Sequence, residues 1–153
     1  HTWDKWAGMR CIKLLSADQH AGPTRDTAYR ASQNLLNRYG RDVNGVFCPC
    51  ELPTGAMAMA LRDIGKGGGK VKMVGFDAGT KSIEDLKNGD VQALVVQDPV
   101  GIGYEGVRTM VRHLQGKPVE RRIGTRVALI TKENMVVQEM KDLLHPPLEK
   151  YLK

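Results

Sequence analysis

Short apolar runs of strand type alternate with stretches of helical periodicity along this chain, and this alternation constrains its fold more than any other feature. Strands are predicted at residues 10–16, 44–48, 70–76, 91–96 and 126–131, and helices at 24–39, 54–63, 82–88 and 101–114. A polar helix or tail is predicted around His145. Strands joined by helices of this length require right-handed crossovers. We therefore predict an α/β fold, a three-layer sandwich with a mostly parallel sheet.

The length and composition are typical of one folded domain. The chain has 153 residues, of which 41% are hydrophobic and 26% charged, values that exclude a disordered or fibrous chain. No apolar run approaches the ~18 residues that a membrane span needs. His1 stands where an initiating Met is usual, and no signal-peptide stretch follows it, so we expect a cut fragment or a processed product.

The net charge of +6 would suit a nucleic-acid partner only if it were clustered. The densest basic stretches, residues 66–72 and 120–126, are short, and acidic residues are spread along the whole chain. We therefore predict a solvated surface and no contact with nucleic acid.

No residue pattern predicts a metal site. Cys11 stands alone, and Cys48 and Cys50 have one residue between them where zinc sites have two or more. The four histidines are scattered. We expect two buried thiols and one spare, and no metal.

Two glycine-rich segments are similar to cofactor-binding motifs but lack features that phosphate binding requires. Residues 101–106 match G-x-G-x-x-G, yet Glu105 would place a negative charge beside a pyrophosphate, so we predict close packing at a helix start. Residues 65–70 are one position short of a phosphate loop and precede a strand, so we predict a helix-to-strand turn. We expect no cofactor.

Polar side chains follow four of the predicted strands. In open parallel sheets, ligands bind beyond the carboxyl ends of the strands, which here are followed by residues 17–19, 49–51, 77–79 and 97–99. Carboxylates and amides in these segments suit a ligand rich in hydroxyl groups. An Asp at the end of a strand can also simply cap the next helix or turn. Their recurrence along one edge favours a binding site.

Several motifs together resemble a known family. The segment Val-Gly-Phe-Asp77 is followed about twenty residues later by Gln97-Asp-Pro99, and further similar segments are found at residues 15–22, 43–47, 58–62, 86–89, 103–104 and 127–134. The pattern resembles the sugar-binding receptors of bacterial ABC importers, the ribose-receptor-like group of type I periplasmic binding proteins. Lactose-repressor-like regulators share this core, so the effector-binding core of such a regulator is the alternative.

The resemblance implies a binding protein of two lobes with a sugar trapped between them, not an enzyme. Residues 1–153 resemble the C-terminal lobe, and residues 98–131 are expected to pack on the absent first lobe. The implied partners are a monosaccharide-like solute and an ABC permease, and the implied location is periplasmic or extracytoplasmic. Without the first lobe, an apolar stripe on the predicted helix 101–114 should fold back on the sheet or bury itself in a homodimer.

The resemblance also implies roles for individual residues. Asp77 would bond a pair of sugar hydroxyls, and Gln97 another. Cys50 stands where these receptors commonly have Asn, and both Cys50 and Glu51, which follows it, are candidates for ligand contact. In the loop before the first helix, Thr24 and Arg25 are weaker candidates for ligand contact, because Thr24 also suits the N-cap of that helix. With two Trp, four Tyr and two Phe in the chain, the aromatic half of a sugar site is expected to be missing.

Overall fold

The computed structural model describes residues 12–146 and 148–150. Its helices in this part of the chain are α1 (Arg25–Tyr39), α2 (Glu51–Asp63), α3 (Thr80–Asn88), α4 (Pro99–Leu114) and α5 (Gln138–Leu144). Its strands are β1 (Gly45–Phe47), β2 (Lys72–Phe76), β3 (Ala93–Gln97) and β4 (Val127–Thr131), and a 3₁₀ turn covers Leu148–Lys150. None of these helices is long and apolar enough to cross a membrane.

The four strands form one sheet in the order β1-β2-β3-β4. β1, β2 and β3 are parallel, with α2 and α3 as the connections between them, and β4 runs antiparallel to β3. The predicted α/β fold with a mostly parallel sheet is confirmed. Because the parallel strands end at the same edge, the residues that follow β1, β2 and β3 lie along one side of the molecule.

The predicted first strand is wrong over the residues that can be compared. Residues 12–16 form no strand, while positions 10 and 11 lie outside the described residues. Ile12 and Leu14 are exposed, and no described strand pairs with them. A strand exists only where a neighbour supplies its hydrogen bonds, and an apolar run alone does not provide one.

The core lies between the sheet and the helices that cross it. Met73 and Leu94, from the central strands, are fully buried against Leu61 of α2 and Leu86 of α3. Ile130 of β4 is also fully buried. α1 packs along α2. Gly75 of β2 lies against Thr54 of α2 so closely that a Cβ at this position would come within 2.5 Å of Thr54 Cγ2.

The turn at 65–70 is anchored by an ionic network at the amino ends of the parallel strands, opposite the edge where their carboxyl ends lie. The Arg62 guanidinium donates to Asp85 Oδ1 at 2.9 Å and to Asp90 Oδ2 at 2.8 Å. Asp90 also accepts the Gly68 backbone N–H at 2.7 Å. Gly65, Gly68 and Gly69 have positive φ, the left-handed region that favours glycine. The segment is therefore a helix-to-strand turn, as its sequence predicts.

α4 stands apart from the core. None of its sixteen residues is buried, and its apolar side chains face solvent, among them Tyr104, Val107, Met110, Val111 and Leu114. The structure does not show α4 folded back on the sheet. β4, in contrast, pairs with β3 over five residue positions. The expectation that residues 98–131 pack on another lobe stays a prediction, and Val127 and Leu129 of β4 are each 56% exposed.

Candidate functional site

Asp77 and Gln97 meet at the carboxyl edge of the sheet. Asp77 directly follows β2, and Gln97 is the last residue of the neighbouring parallel strand β3. The Gln97 side-chain amide donates to Asp77 Oδ1 at 3.3 Å. Both residues are half-buried, so each keeps polar surface open to solvent. The expectation that these two side chains converge agrees with the geometry.

Asp77 has an unusual backbone conformation. Its φ of 65° makes it the one non-glycine residue with positive φ in the described part of the chain. Asp tolerates the left-handed region better than most residues, but the conformation still stores strain, and such strain concentrates at functional sites. The Asp77 N–H is bonded to the Val95 carbonyl at 2.9 Å. The chain therefore turns sharply at the end of β2 and holds the carboxylate at the sheet edge.

Cys50 and Glu51 lie at the start of α2, beyond β1. Cys50 is the N-cap residue of α2, is exposed, and makes no side-chain capping bond. Glu51 is the first residue of the helix, and its carboxylate lies against Gly79, two residues after Asp77. The structure therefore places Glu51 beside the turn that carries Asp77.

Thr24 serves as the cap of α1. Its hydroxyl accepts the Thr27 N–H at 3.2 Å, and the Thr24 N–H donates to the Thr27 hydroxyl at 3.1 Å. Arg25 follows as the first, exposed residue of α1. Across the described residues, no hydrogen bond or ion pair joins Thr24 or Arg25 to Asp77. The capping interpretation of Thr24 therefore has direct structural support, and a ligand role for this pair stays a prediction.

Thr54 supports the site, although no sequence motif singles it out. It is fully buried in α2, and its hydroxyl donates to the Cys50 carbonyl at 2.8 Å. The same oxygen accepts the Phe76 N–H at 3.4 Å. Thr54 thus ties the start of α2 to the end of β2. A lone Thr in an otherwise apolar helix face was the available signal.

Comparison with known proteins identifies the family. A sequence model described as "Periplasmic binding protein domain" matches residues 3–118. The chain belongs to the periplasmic-binding-protein family. The motif resemblance is thereby confirmed.

Its similarity to individual family members extends over most of the chain. It is 32% identical to the ribose import binding protein RbsB of Haemophilus influenzae over 117 residues, which cover 76% of this chain and 38% of that protein. It is 32% identical over 100 residues to the D-allose-binding periplasmic protein of Escherichia coli, covering 65% of this chain and 31% of that one. The chain thus spans well under half the length of these curated relatives.

Solved structures give the same result. An ABC transporter solute binding protein from Agrobacterium vitis with bound D-fucose has a TM-score of 0.82 at 27% identity, covering 94% of this chain and 49% of that one. A carbohydrate transporter solute binding protein from Agrobacterium radiobacter, in complex with D-arabinose, has a TM-score of 0.81 at 28% identity. The match covers 93% of this chain and 48% of that one.

The start of α4 in this periplasmic-binding-protein chain accounts for the first glycine of the G-x-G-x-x-G match. Asp98 caps the helix by accepting the Gly101 N–H at 2.9 Å, and the Asp98 N–H donates to the Arg126 carbonyl at 3.1 Å. A Cβ at Gly101 would come within 2.6 Å of the Asp98 carboxylate, whereas Gly103 and Gly106 face open space. The predicted close packing is therefore found at Gly101, beside the Asp98 cap, and not at Gly103 or Gly106.

The two cysteines near the site differ in chemistry. Burial, and to a smaller extent the charge of Cys50, raises the pKa of the Cys48 thiol to about 12, so Cys48 stays protonated. Cys50 is exposed, and Cys11 lies outside the described residues. Within the described ranges, no group of three or more His, Cys, Asp or Glu residues could hold a metal ion.

Proposed function

We propose that this chain is the sugar-binding lobe of an ABC importer's solute-binding protein. The pairing of Asp77 with Gln97 at the carboxyl edge of the parallel strands carries the proposal. The relatives named for ribose and allose, and the similar structures with bound D-fucose and D-arabinose, support a monosaccharide as the ligand class.

The chemistry of the pair suits vicinal hydroxyl groups. An ionised carboxylate accepts several hydrogen bonds, so Asp77 can accept one from Gln97 and still receive two sugar hydroxyls. The Gln97 carbonyl oxygen adds a further acceptor. Cys50 offers only a weak thiol donor beside them, and the exposed Arg25 and Thr24 remain candidates at the start of α1. The aromatic surface that stacks on a sugar ring would come from a second lobe.

The role we infer is binding without catalysis. The names of the relatives describe import and binding proteins, and the roles proposed for Asp77 and Gln97 require only hydrogen-bond donors and acceptors. An ABC permease is the partner that this role implies, with an extracytoplasmic location. The scattered charge supports no nucleic-acid contact.

We further propose that residues 98–131 pack on the second lobe of the intact protein. The supporting observation is the unburied α4, whose Leu114 is 77% exposed. If the chain is studied alone, we expect a second copy to cover α4 in a symmetric dimer. Sedimentation and hydrogen exchange test this: a monomer with unprotected α4 amides would contradict it.

Titration calorimetry of the full-length protein against pentoses and hexoses tests the main proposal. We expect binding heat with at least one sugar, and its loss or marked weakening in Asp77→Ala with an unchanged circular dichroism spectrum. No heat with any sugar would refute the proposal. The segment upstream of the chain tests the regulator alternative, since a signal peptide supports transport and a helix-turn-helix supports regulation.

A further inference from the structure

The Glu51 carboxylate lies in the space that a side chain at position 79 would take. A Cβ on Gly79 would overlap the Glu51 carboxylate, with Oε2 2.8 Å away and the other carboxylate atoms closer. The backbone of Gly79 does not itself require glycine, since its φ of −68° and ψ of 157° suit any residue. A side chain at position 79 would therefore displace the exposed Glu51 carboxylate from this place.

The carboxylate of Glu51 lies where α3 needs a negative charge. Gly79 is the N-cap of α3, and it supplies no capping side chain. The first turn of α3 contains no acidic residue either. The N-terminus of a helix favours a nearby anion. Glu51, from the neighbouring helix α2, supplies that charge across the helix–helix boundary.

The same contact restrains the strained turn that carries Asp77. This turn covers residues 77–79 and begins with the positive φ of Asp77. The Val95 carbonyl and the Gln97 amide hold its first residue, and the Glu51 carboxylate lies against its last residue, at the N-terminus of α3. The turn is therefore bonded to the sheet at its first residue, and the attraction between a helix N-terminus and an anion links its last residue to α2.

We propose that Glu51 is a positioning residue, which holds the 77–79 turn and so aims the Asp77 carboxylate, and that it does not contact the sugar. The effect on sugar binding rests on the proposed function, whereas the contact with Gly79 does not. This assignment differs from the ligand-contact role that the family resemblance implies for Glu51.

A double-mutant cycle on unfolding tests the contact. We expect Gly79→Ala to lower the urea midpoint in the native background, because the new methyl displaces the carboxylate. In the Glu51→Ala background the same change should leave the midpoint unchanged or raise it, since Ala restricts the unfolded chain more than Gly does. Gly124→Ala is the matched control, because position 124 has open space around it, and its effect should be equal in both backgrounds. Equal effects of Gly79→Ala on the urea midpoint in both backgrounds would show that the contact between Glu51 and Gly79 does not contribute to stability.

Sugar affinity of the full-length protein separates positioning from direct contact. We expect Glu51→Ala to raise the Kd roughly threefold, the scale of coupling between residues in one network, and Glu51→Gln to raise it less. In an Asp77→Asn background, which keeps a residue that tolerates positive φ, Glu51→Ala should change the Kd by less than about 1.5-fold. A full threefold loss in that background would show direct contact and refute positioning. If the native protein binds no sugar, the proposed function fails, while the unfolding cycle still decides the contact.

Discussion

Gly75→Ala should destabilise the chain by overpacking the interface between β2 and α2. A Cβ at Gly75 would come within 2.5 Å of Thr54 Cγ2 and 2.9 Å of both Thr54 Oγ1 and Leu94 Cδ2. Thr54 and Leu94 are both 0% exposed, so neither side chain can turn out to solvent. The added methyl must therefore shift the helix or the strand.

The expected cost has two parts. Inserting a methyl into a packed core costs about 1–3 kcal/mol. Shifting Thr54 also strains its bonds to the Cys50 carbonyl and the Phe76 N–H, each worth about 0.5–1.5 kcal/mol. With partial relief, we expect a loss of about 2–4 kcal/mol in the free energy of unfolding. At a urea m-value of about 2 kcal/mol/M, the midpoint should fall by about 1–2 M.

Urea denaturation followed by far-ultraviolet circular dichroism measures this shift. Thr54→Ser removes the methyl group that makes the closest contact and keeps the hydroxyl, so the double variant should recover part of the loss. Gly106→Ala is the control, because position 106 lies inside α4 with open space around it. That change should stabilise the chain by up to about 1 kcal/mol. An unchanged midpoint for Gly75→Ala, or no recovery with Thr54→Ser, would refute the packing explanation.

Three further predictions concern the site and the ionic network. Asp77→Ala should weaken the sugar affinity of the full-length protein at least ~tenfold, since hydrogen bonds to a charged group are worth about 1.5–3 kcal/mol. Gln97→Ala should weaken the affinity less, because its hydrogen bonds are neutral, and calorimetry measures both affinities. At pH 8 an iodoacetamide label should appear on Cys50 in the folded chain and on Cys48 only after unfolding, because burial keeps the Cys48 thiol protonated. Peptide mapping measures the label at each cysteine. Equal labelling of both in the folded chain would contradict this prediction. Burial alone would raise the pKa of Asp90, but the Gly68 N–H and a neighbouring guanidinium outweigh it and hold this pKa below its ordinary value. The stabilising effect of ionised Asp90 should therefore be present above about pH 4 and be lost as the pH falls below it. In Asp90→Asn, the urea midpoint should change less with pH over that range.

The fold class was predictable because the spacing of apolar residues indicates which residues are buried and whether the segment is a helix or a strand. Four of the five predicted strands and all four predicted helices are present, with ends shifted by a few residues. Residues 12–16 show the limit of that signal, because a β-like run becomes a strand only beside a neighbour. The antiparallel direction of β4 was likewise not readable from its composition.

The sequence by itself determined that Asp77 and Gln97 lie at the carboxyl ends of strands, and the carboxyl ends of parallel strands share one edge. It also carried the motifs that mark the family. Only the tertiary structure decided which polar residues touch. Glu51 meets Gly79 across 28 positions of sequence, and Thr54 meets Gly75 across 21, because α2 packs over β2 and the start of α3. Such contacts depend on side-chain distances between separate elements, and a periodic pattern within one element contains no information about them.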